Sequence, residues 1–374
     1  MIPCQRELFD VPDDVTYFNC AYMAPLMKTV VEAGTAGLAR KVRPWEIRVD
    51  DFFDHSERLR GRAAKLFGAS ADDVAIVPSA SYGIATAALN LPVKRGQKIL
   101  ILDEQFPSNS YPWWRVAEET GAEVVTVPWP EDGDWTSGVV AALRDGVAVA
   151  ALPHVQWTSG GLLGLVKIGA ACRKNGTALV LDLTQSLGAY PFNAAEIQPD
   201  FAVAAAYKWL LGPYTLGVMY VAPKRQNGKP LEENWIQREN ARNFTDLISH
   251  TDAYMAGARR FDMGEHANFA LVPAAIAAIE QILDWGVEEI AATVGGLNRS
   301  IATAVSEFGL MPWPEAHRAP HYLCLRGSVP RDLPEKLAAA KVFISLRGSS
   351  IRVTPHVYNS AADVERFVSV LRKS

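Results

Sequence analysis

Seven short apolar segments run through the first two thirds of this chain, and their alternation with helical patterns limits the folds it can adopt. They predict strands at 73–78, 98–103, 122–127, 147–153, 178–182, 201–206 and 216–222. Helical patterns separate the first five strands, at 82–91, 111–120, 136–145 and 165–175. Strands that alternate with helices form a mostly parallel sheet with helices on both faces. The last two strands have too short a connection for a parallel crossover, so one of them is expected to run antiparallel.

The length of 374 residues favours two domains. After residue 222 the chain becomes polar, and a second pattern of helices and strands begins near residue 269. Its helices are predicted at 269–285, 287–307, 331–340 and 361–372, and its strands at 321–326, 341–346 and 350–354. We therefore expect an N-terminal arm at 1–14, a large α/β domain at 15–250 and a smaller α+β domain at 251–374.

Composition narrows the classes of function. A net charge of −4 without any basic run argues against nucleic-acid binding. No uncharged apolar run approaches the ~20 residues that span a bilayer, and the charged first 20 residues do not form a signal peptide. The four cysteines lie far apart and have neither metal-ligand nor disulfide-framework spacing. We therefore expect a cytoplasmic protein that does not bind nucleic acid, membranes or metal ions.

Lys208 follows the apolar strand predicted at 201–206, and Gly212, Pro213 and Gly217 interrupt the chain after it. A lysine between an apolar strand and a Trp-Leu-Leu segment is expected to be partly buried. Burial disfavours the ammonium form, and a neutral amine can attack an aldehyde. The alternative is a lysine that extends its charged end to the surface.

Polar or aromatic residues also follow three other predicted strands. Ser79 and Ser81 precede a helix, where hydroxyls and backbone N–H groups can bind a phosphate, although an ordinary N-cap would use the same residues. Phe106 can stack on a flat cofactor or pack in the core. Asp182 ends an apolar strand, either as a helix cap or as the counter-ion of a protonated heterocycle.

In open parallel sheets, ligands bind beyond the carboxyl ends of the strands, which is where these residues are expected to meet. A phosphate site, a ring platform, a carboxylate and an amine nucleophile together fit pyridoxal 5′-phosphate. The dinucleotide pattern Gly-x-Gly-x-x-Gly and the Walker loop are both absent from the sequence.

With these residues in place, the chain resembles the class V aminotransferase group of fold-type I pyridoxal-phosphate enzymes, from Tyr17 to the C-terminus. That group includes cysteine desulfurases, kynureninases and isopenicillin-N-epimerase-like proteins. The resemblance implies the fold-type I transferase architecture, with a mostly parallel seven-stranded sheet and a smaller α+β C-terminal domain. It also implies an amino acid substrate and a homodimer.

The resemblance assigns seven residues to the cofactor: Ala80, Ser81, Phe106, Asp182, Gln185, Tyr207 and Lys208. Lys208 would form the Schiff base, Asp182 would pair with the pyridine nitrogen, and Gln185 would bond the ring hydroxyl. Ala80 and Ser81 would hold the phosphate. Phe106 corresponds to the stacking phenylalanine of kynureninases, and Tyr207 to their phosphate-binding tyrosine.

Arg352 would bind the substrate carboxylate, because a guanidinium fork meets both carboxylate oxygens; the alternative is a surface arginine beside a strand. Trp157 stands where desulfurases have an asparagine near the ring. Residues expected to contact the substrate side chain are Trp157, Tyr22, Arg259, Arg260 and Arg347.

The expected activity is chemistry at Cα of an amino acid through Lys208. The resemblance ranks an aminotransferase first, a β-lyase of the cysteine or cystine C–S type second and an amino-acid epimerase third. A cofactor-binding scaffold without turnover stays open as another class. A cysteine desulfurase is disfavoured, because the segment 341–350 before the Arg352 strand contains no cysteine.

Overall fold

The computed structural model describes residues 1–144, 146–347 and 350–373. Within these residues the strands are β1 (Thr16–Tyr17), β2 (Val74–Val77), β3 (Lys98–Leu102), β4 (Glu123–Val127), β5 (Val147–Pro153), β6 (Ala178–Asp182), β7 (Phe201–Ala205), β8 (Gly217–Val221), β9 (Met311–Pro312), β10 (Leu323–Arg326), β11 (Val342–Phe343), β12 (Ser345–Arg347) and β13 (Ser350–Val353). The helices are α1 (Lys28–Ala39), α2 (Asp54–Phe67), α3 (Ala80–Asn90), α4 (Tyr111–Thr120), α5 (Trp135–Ala142), α6 (Leu165–Asn175), α7 (Ala194–Ile197), α8 (Leu271–Trp285), α9 (Val287–Val305), α10 (Leu333–Ala339) and α11 (Ala361–Leu371).

A seven-stranded sheet in the order β2-β8-β7-β6-β5-β3-β4 forms the centre of the molecule. β8 is antiparallel to both β2 and β7, while the other neighbouring pairs are parallel. The predicted sheet, with one antiparallel strand among the last two, is therefore confirmed. The register aligns Pro153 with Asp182 and Asp182 with Val203, so β5, β6 and β7 end at one edge.

Both faces of this sheet are covered, as its nearly continuous apolar strands predict. Along β2, Val74 and Ile76 enter one hydrophobic core while Ala75 and Val77 enter the core on the opposite face. All five residues of β7 are buried. The helices between these strands close both faces, and no helix in the described residues is long and apolar enough to cross a membrane.

The C-terminal part builds a separate antiparallel sheet in the order β12-β13-β10-β9. Its apolar core is shared with α9, α10 and α11. The single strand predicted at 341–346 is two strands, because β11 pairs with the N-terminal β1 whereas β12 pairs with β13. Asn19 also bridges Thr354, so the N-terminal segment adds to the C-terminal part of the molecule. The domain limits at 14 and 250 stay a prediction.

Candidate active site

A cavity of about 400 Å³ opens at the carboxyl ends of the sheet strands. Segments that follow β2, β3, β5, β6 and β7 contribute its walls. Its lining consists of Pro78, Ser79, Ala80, Ser81, Gln105, Phe106, Ser108, Asn109, Pro153, Val155, Trp157, Asp182, Thr184, Gln185, Ala205, Tyr207, Lys208, Tyr214 and Thr215. The structure thus brings together all seven residues predicted to bind the cofactor, together with Trp157.

Lys208 is only 7% exposed and lies in this cavity, three residues beyond the end of β7. Its Nζ is 5.5 Å from the centre of the Phe106 ring and 5.4 Å from that of Tyr207. The chain turns back directly after it, and the turn is closed by a 2.9 Å hydrogen bond from Gly212 N to Ala206 O. The amine is therefore held among aromatic rings rather than extended into solvent.

Asp182 is the last residue of β6 and is 8% exposed. Its Oδ1 accepts a 2.9 Å hydrogen bond from Thr184 N. Burial raises the pKa of this carboxyl, while the hydrogen bonds from Thr184 and the positive charge of Lys208 act in the opposite direction. The charge of Lys208 thus affects the pKa of Asp182, and both side chains line the same cavity. The hypothesis of a carboxylate near an amine requires this arrangement.

Gln185 is held by two protein groups. Its Nε2 donates a 3.1 Å hydrogen bond to Ala21 O, and its Oε1 accepts a 3.0 Å hydrogen bond from Trp209 Nε1. Only 7% of Gln185 is exposed, and that surface faces the cavity. The side-chain amide therefore has a defined orientation at the cavity wall.

The first turn of α3 forms another wall. Ser79 is its N-cap, with Oγ accepting a 3.1 Å hydrogen bond from Tyr82 N, and Oγ of Ser81 lies 2.9 Å from Oγ of Ser79. The cap predicted as the alternative is thus present, and Ala80 and Ser81 line the cavity beside it. A helix N-terminus with exposed N–H groups and hydroxyls suits a phosphate.

Aromatic rings surround the amine. Phe106 meets Trp157 edge to face, with ring centres 5.4 Å apart, and Trp157 Nε1 donates a 2.7 Å hydrogen bond to Glu104 O. Tyr207 and Tyr214 have ring centres 4.7 Å apart. Burial raises the pKa of Tyr207 to about 12, so its phenol is neutral and can donate a hydrogen bond near pH 7.

Arg352 lies on β13 and is 2% exposed. Its Nη1 donates a 3.2 Å hydrogen bond to Trp157 O, and its Nη2 donates a 3.1 Å hydrogen bond to Ser345 Oγ. Among the described residues, Nε has no hydrogen-bond partner, and no carboxylate forms an ion pair with this guanidinium. Arg352 is therefore a buried cation bonded to the backbone of Trp157, not the surface arginine of the alternative interpretation. It is not itself among the described residues that line the cavity.

Other residues expected to contact the substrate side chain are not among the described residues that line the cavity. Arg259 forms ion pairs with Glu57 and Asp72, and Arg260 packs over the Tyr254 ring. Tyr22 is 55% exposed outside the lining. The side chain of Arg347 lies outside the described residues.

Sequence reasoning missed three groups that hold the site. Thr184 stands in the same Asp-Leu-Thr-Gln run as Asp182, so its backbone bond to that carboxylate could have been anticipated from the Asx-turn pattern. No local sequence pattern indicated the contacts of Trp209 and Ser345. Their partners Gln185 and Arg352 come close only after separate elements pack or pair.

This arrangement fits pyridoxal phosphate. A buried lysine, a carboxyl whose pKa is raised by burial, a helix N-terminus and a ring platform face one cavity. Its volume of about 400 Å³ lies within the ~300–1,000 Å³ that is typical of small-molecule sites.

Comparisons with known proteins point the same way. The family model described as Aminotransferase class-V matches residues 24–367. The protein named "Uncharacterized aminotransferase YcbU" of Bacillus subtilis strain 168 is 26% identical over 317 residues, which cover 84% of this chain and 82% of that protein. A kynureninase of Bacillus anthracis is 26% identical over 366 residues, covering 93% of this chain and 83% of that enzyme.

Solved structures share the fold over nearly the whole chain. The apo cysteine desulfurase of Thermococcus onnurineus NA1 superposes with a TM-score of 0.87 at 21% identity, covering 100% of this chain and 98% of that one. The cystine C–S lyase C-DES, in complex with its reaction product cysteine persulfide, gives a TM-score of 0.85 at 18% identity, covering 96% and 97%. The predicted fold-type I architecture is confirmed.

The predicted activity, an aminotransferase rather than a cysteine desulfurase, is wrong. Cysteine desulfurases and a C–S lyase share this fold along the chain, and a cysteine desulfurase is not excluded. The aminotransferase ranking relied on the resemblance alone, and the argument against a desulfurase relied on the segment 341–350, which contains no cysteine. Pyridoxal phosphate as the cofactor is confirmed by the family and by the structure of a C-DES mutant, similar in fold, in which glycine is covalently linked to this cofactor.

Proposed function

The chain belongs to the class V aminotransferase family of pyridoxal-phosphate enzymes, and we propose that it eliminates a sulfur substituent from the β-carbon of an amino acid such as cystine. The observation that carries the proposal is a buried lysine amine and a buried carboxyl at one cavity, Lys208 and Asp182. The likeness in fold to a cystine C–S lyase that holds cysteine persulfide supports the choice of bond.

When bound, pyridoxal phosphate supplies an electron sink for negative charge that develops at the substrate Cα. Lys208 would hold it covalently, and Asp182 would keep its ring nitrogen protonated. Phe106 would cover one ring face and Gln185 would donate a hydrogen bond to the ring oxygen. The first turn of α3, with Ser81, would hold the phosphate.

Arg352 would bind the substrate carboxylate. Its guanidinium is buried without a carboxylate of the described residues, and a buried charge is stable only when it is paired. Trp157 O and Ser345 Oγ each hold one Nη group, so the fork has a fixed direction. A carboxylate bound there would supply the missing counter-charge and would fix one end of the substrate.

Nζ of Lys208, released as a neutral amine, would remove the Cα proton as a general base. The Cβ–S bond then breaks, and its electron pair leaves with sulfur as cysteine persulfide when the substrate is cystine. The enamine that remains takes up water to give pyruvate and ammonium. No external oxidant, reductant or keto acid is needed, since the sulfur accepts the electron pair of the broken bond.

The test uses the purified holoenzyme. Incubation with cystine is expected to give pyruvate and persulfide in equal amounts without any added keto acid. Lys208→Ala is expected to lose at least ~100-fold in rate and to lose the covalent cofactor band that borohydride reduces. The matched control is Lys167→Ala, an exposed lysine of α6, which should keep both.

Two results would contradict the proposal at different levels. Product that appears only with a keto-acid acceptor, together with pyridoxamine phosphate, would reject elimination but keep the Lys208 site. Cofactor that borohydride still fixes covalently to the Lys208→Ala protein would reject the site itself.

A further inference from the structure

We propose that Trp209 is a positioning residue that fixes the side-chain amide of Gln185 and thereby sets the ionisation of the cofactor's ring oxygen. The inference rests on the proposed role of Gln185 as the donor to that oxygen. It adds a residue outside the cavity lining, since Trp209 is fully buried beneath the site.

The side-chain amide of Gln185 forms one hydrogen bond through its oxygen and one through its nitrogen. Trp209 Nε1 lies 3.0 Å from Gln185 Oε1, and Gln185 Nε2 lies 3.1 Å from Ala21 O. Both distances lie within the normal range for N–H···O hydrogen bonds. The amide is thus held at its oxygen by a side chain and at its nitrogen by the backbone.

The chemistry of these partners allows only one orientation of the amide. An indole N–H can only donate, and a backbone carbonyl can only accept. If the Gln185 amide rotated by half a turn, Nε2 would face the donor of Trp209 and Oε1 would face the acceptor of Ala21. Trp209 therefore keeps the –NH₂ group away from itself. Because one N–H is used on Ala21, the second is the donor that Gln185 can offer to the cavity.

The packing around Trp209 holds the indole in place. His321 meets it edge to face, with ring centres 4.5 Å apart, and His321 Nε2 lies 2.7 Å from the backbone oxygen of Gln185. His356 lies on a second side, with ring centres 5.9 Å apart. Trp209 also directly follows Lys208 in the chain. One short segment therefore places the amine in the cavity and the indole that orients Gln185 beneath it.

An N–H that is donated to a deprotonated oxygen favours the charged form. When Trp209 no longer holds Oε1, only Ala21 O still opposes rotation of the amide. The orientation that presents Oε1 to the ring oxygen is then populated more often, and it disfavours that charge. The bound cofactor should then release its proton at higher pH. The effect is electrostatic and appears without any substrate.

The test is an absorbance titration of the substrate-free holoenzyme against pH. Trp209→Phe, which keeps a ring but removes the N–H, is expected to raise the midpoint by about one pH unit, the size of one lost hydrogen bond. Gln185→Ala should raise it similarly, and the double variant should shift no further. Trp135→Phe is the matched control, because Trp135 is also buried but contacts Trp129 rather than Gln185; its midpoint should stay unchanged.

If Trp209→Phe does not fold, position 209 can be occupied by benzothienylalanine, which replaces the indole N–H by sulfur and keeps the ring shape. The same rise is expected. An unchanged midpoint in the residue-209 variants, or shifts that simply add in the double variant, would overturn the inference. An unchanged midpoint in Gln185→Ala would overturn it through its premise. Since no substrate is present, the result is independent of whether the C–S elimination assay succeeds.

Discussion

At the scale of one residue, the proposed role of Arg352 in binding the substrate carboxylate rests on the burial of its guanidinium. A buried guanidinium without a counter-charge is costly, by several kcal/mol for a desolvated ion. Within the part of the chain that the structure describes, no carboxylate compensates this charge, and Nε has no hydrogen-bond partner. A substrate carboxylate would provide both the charge and the missing acceptor. The residue is therefore expected to contribute mainly to substrate binding.

Arg352→Lys is expected to raise KM for cystine by about 10–100-fold, since an ammonium ion cannot form the two parallel hydrogen bonds of a guanidinium. The effect on kcat should be smaller, and the cofactor absorbance should not change. Steady-state pyruvate formation measures both constants. Arg326→Lys on the neighbouring strand β10 is the control, because this exposed arginine packs on Trp313 away from the cavity. Equal losses in both variants would show that the change is not specific to the site.

Strand ends explain which site residues could be predicted from sequence. Lys208 and Asp182 each follow an apolar strand, so the alternation of strands and helices is enough to place them at one edge of the sheet. The groups that orient the site are different. Ser345 bonds Asn19 and Arg352, and the first of these partners is 326 residues away. Such contacts depend on tertiary packing and leave no local pattern.

At the scale of one element, α3 links the sheet to the proposed phosphate position. Its first turn lines the cavity, and Gly83 in its second turn lies against β7. A Cβ on Gly83 would meet Val203 Cγ2 at 2.7 Å and Cβ at 2.9 Å. The absence of a side chain therefore lets the helix pack close enough to the sheet to place its N-terminus at the site.

Gly83→Ala is expected to lower the free energy of unfolding by about 1–3 kcal/mol, the usual cost of overpacking. Because the first turn of α3 must shift, the cofactor dissociation constant should also rise. Gly61→Ala is a matched control in α2, where nothing lies within 4 Å of an added Cβ. It should stabilise the protein by up to about 1 kcal/mol through helix propensity. Denaturation curves and cofactor titrations measure both variants, and a destabilised Gly61→Ala would show that the contact with Val203 is not the cause.

The C-terminal strands show that a local sequence pattern does not determine which strands pair. The apolar run at 341–346 predicted one strand, but two short strands pair with different partners. The polar stretch at 223–262 shows no sustained sequence pattern, and its helical segments are short 3₁₀ helices at Pro223–Arg225, Trp235–Gln237, Phe244–Asp246 and Gly257–Phe261. Single turns have no sustained periodicity by which a sequence could reveal them.

At the scale of the whole molecule, three buried histidines beneath the cavity make folding sensitive to acid. Burial lowers the pKa of His154 to about 3, that of His321 to about 4 and that of His356 to about 3. Each ring is therefore neutral in the folded protein and becomes charged near its ordinary pKa once the chain unfolds. His356 differs from the other two in that neither ring nitrogen has a partner among the described residues.

The sign of the pH dependence follows from these directions. A histidine whose folded pKa lies below its unfolded value of about 6.5 contributes stability above that pH, and the contribution is lost as pH falls. Below pH 6.5, each of the three histidines should lower the free energy of unfolding by about 1.4 kcal/mol per pH unit, until the pH reaches its pKa in the folded protein. Carboxylates with a lowered pKa affect stability at a lower pH. Glu57, for example, has a pKa of about 2, so its contribution to stability is lost only as the pH falls below 4.5, its ordinary pKa. The interval from pH 6.5 to 5 therefore separates the histidines from such carboxylates.

His356→Leu is expected to reduce the slope of unfolding free energy against pH by about 1.4 kcal/mol per unit in that interval, because one titrating group is removed. Urea denaturation at pH 7, 6 and 5 measures the slope. His250→Leu, at an exposed position, is the control and should leave the slope unchanged. The comparison is made between slopes, so a constant change in stability from repacking does not affect it. A slope unchanged by His356→Leu would contradict the prediction, because it would mean that this histidine binds protons equally in the folded and the unfolded protein.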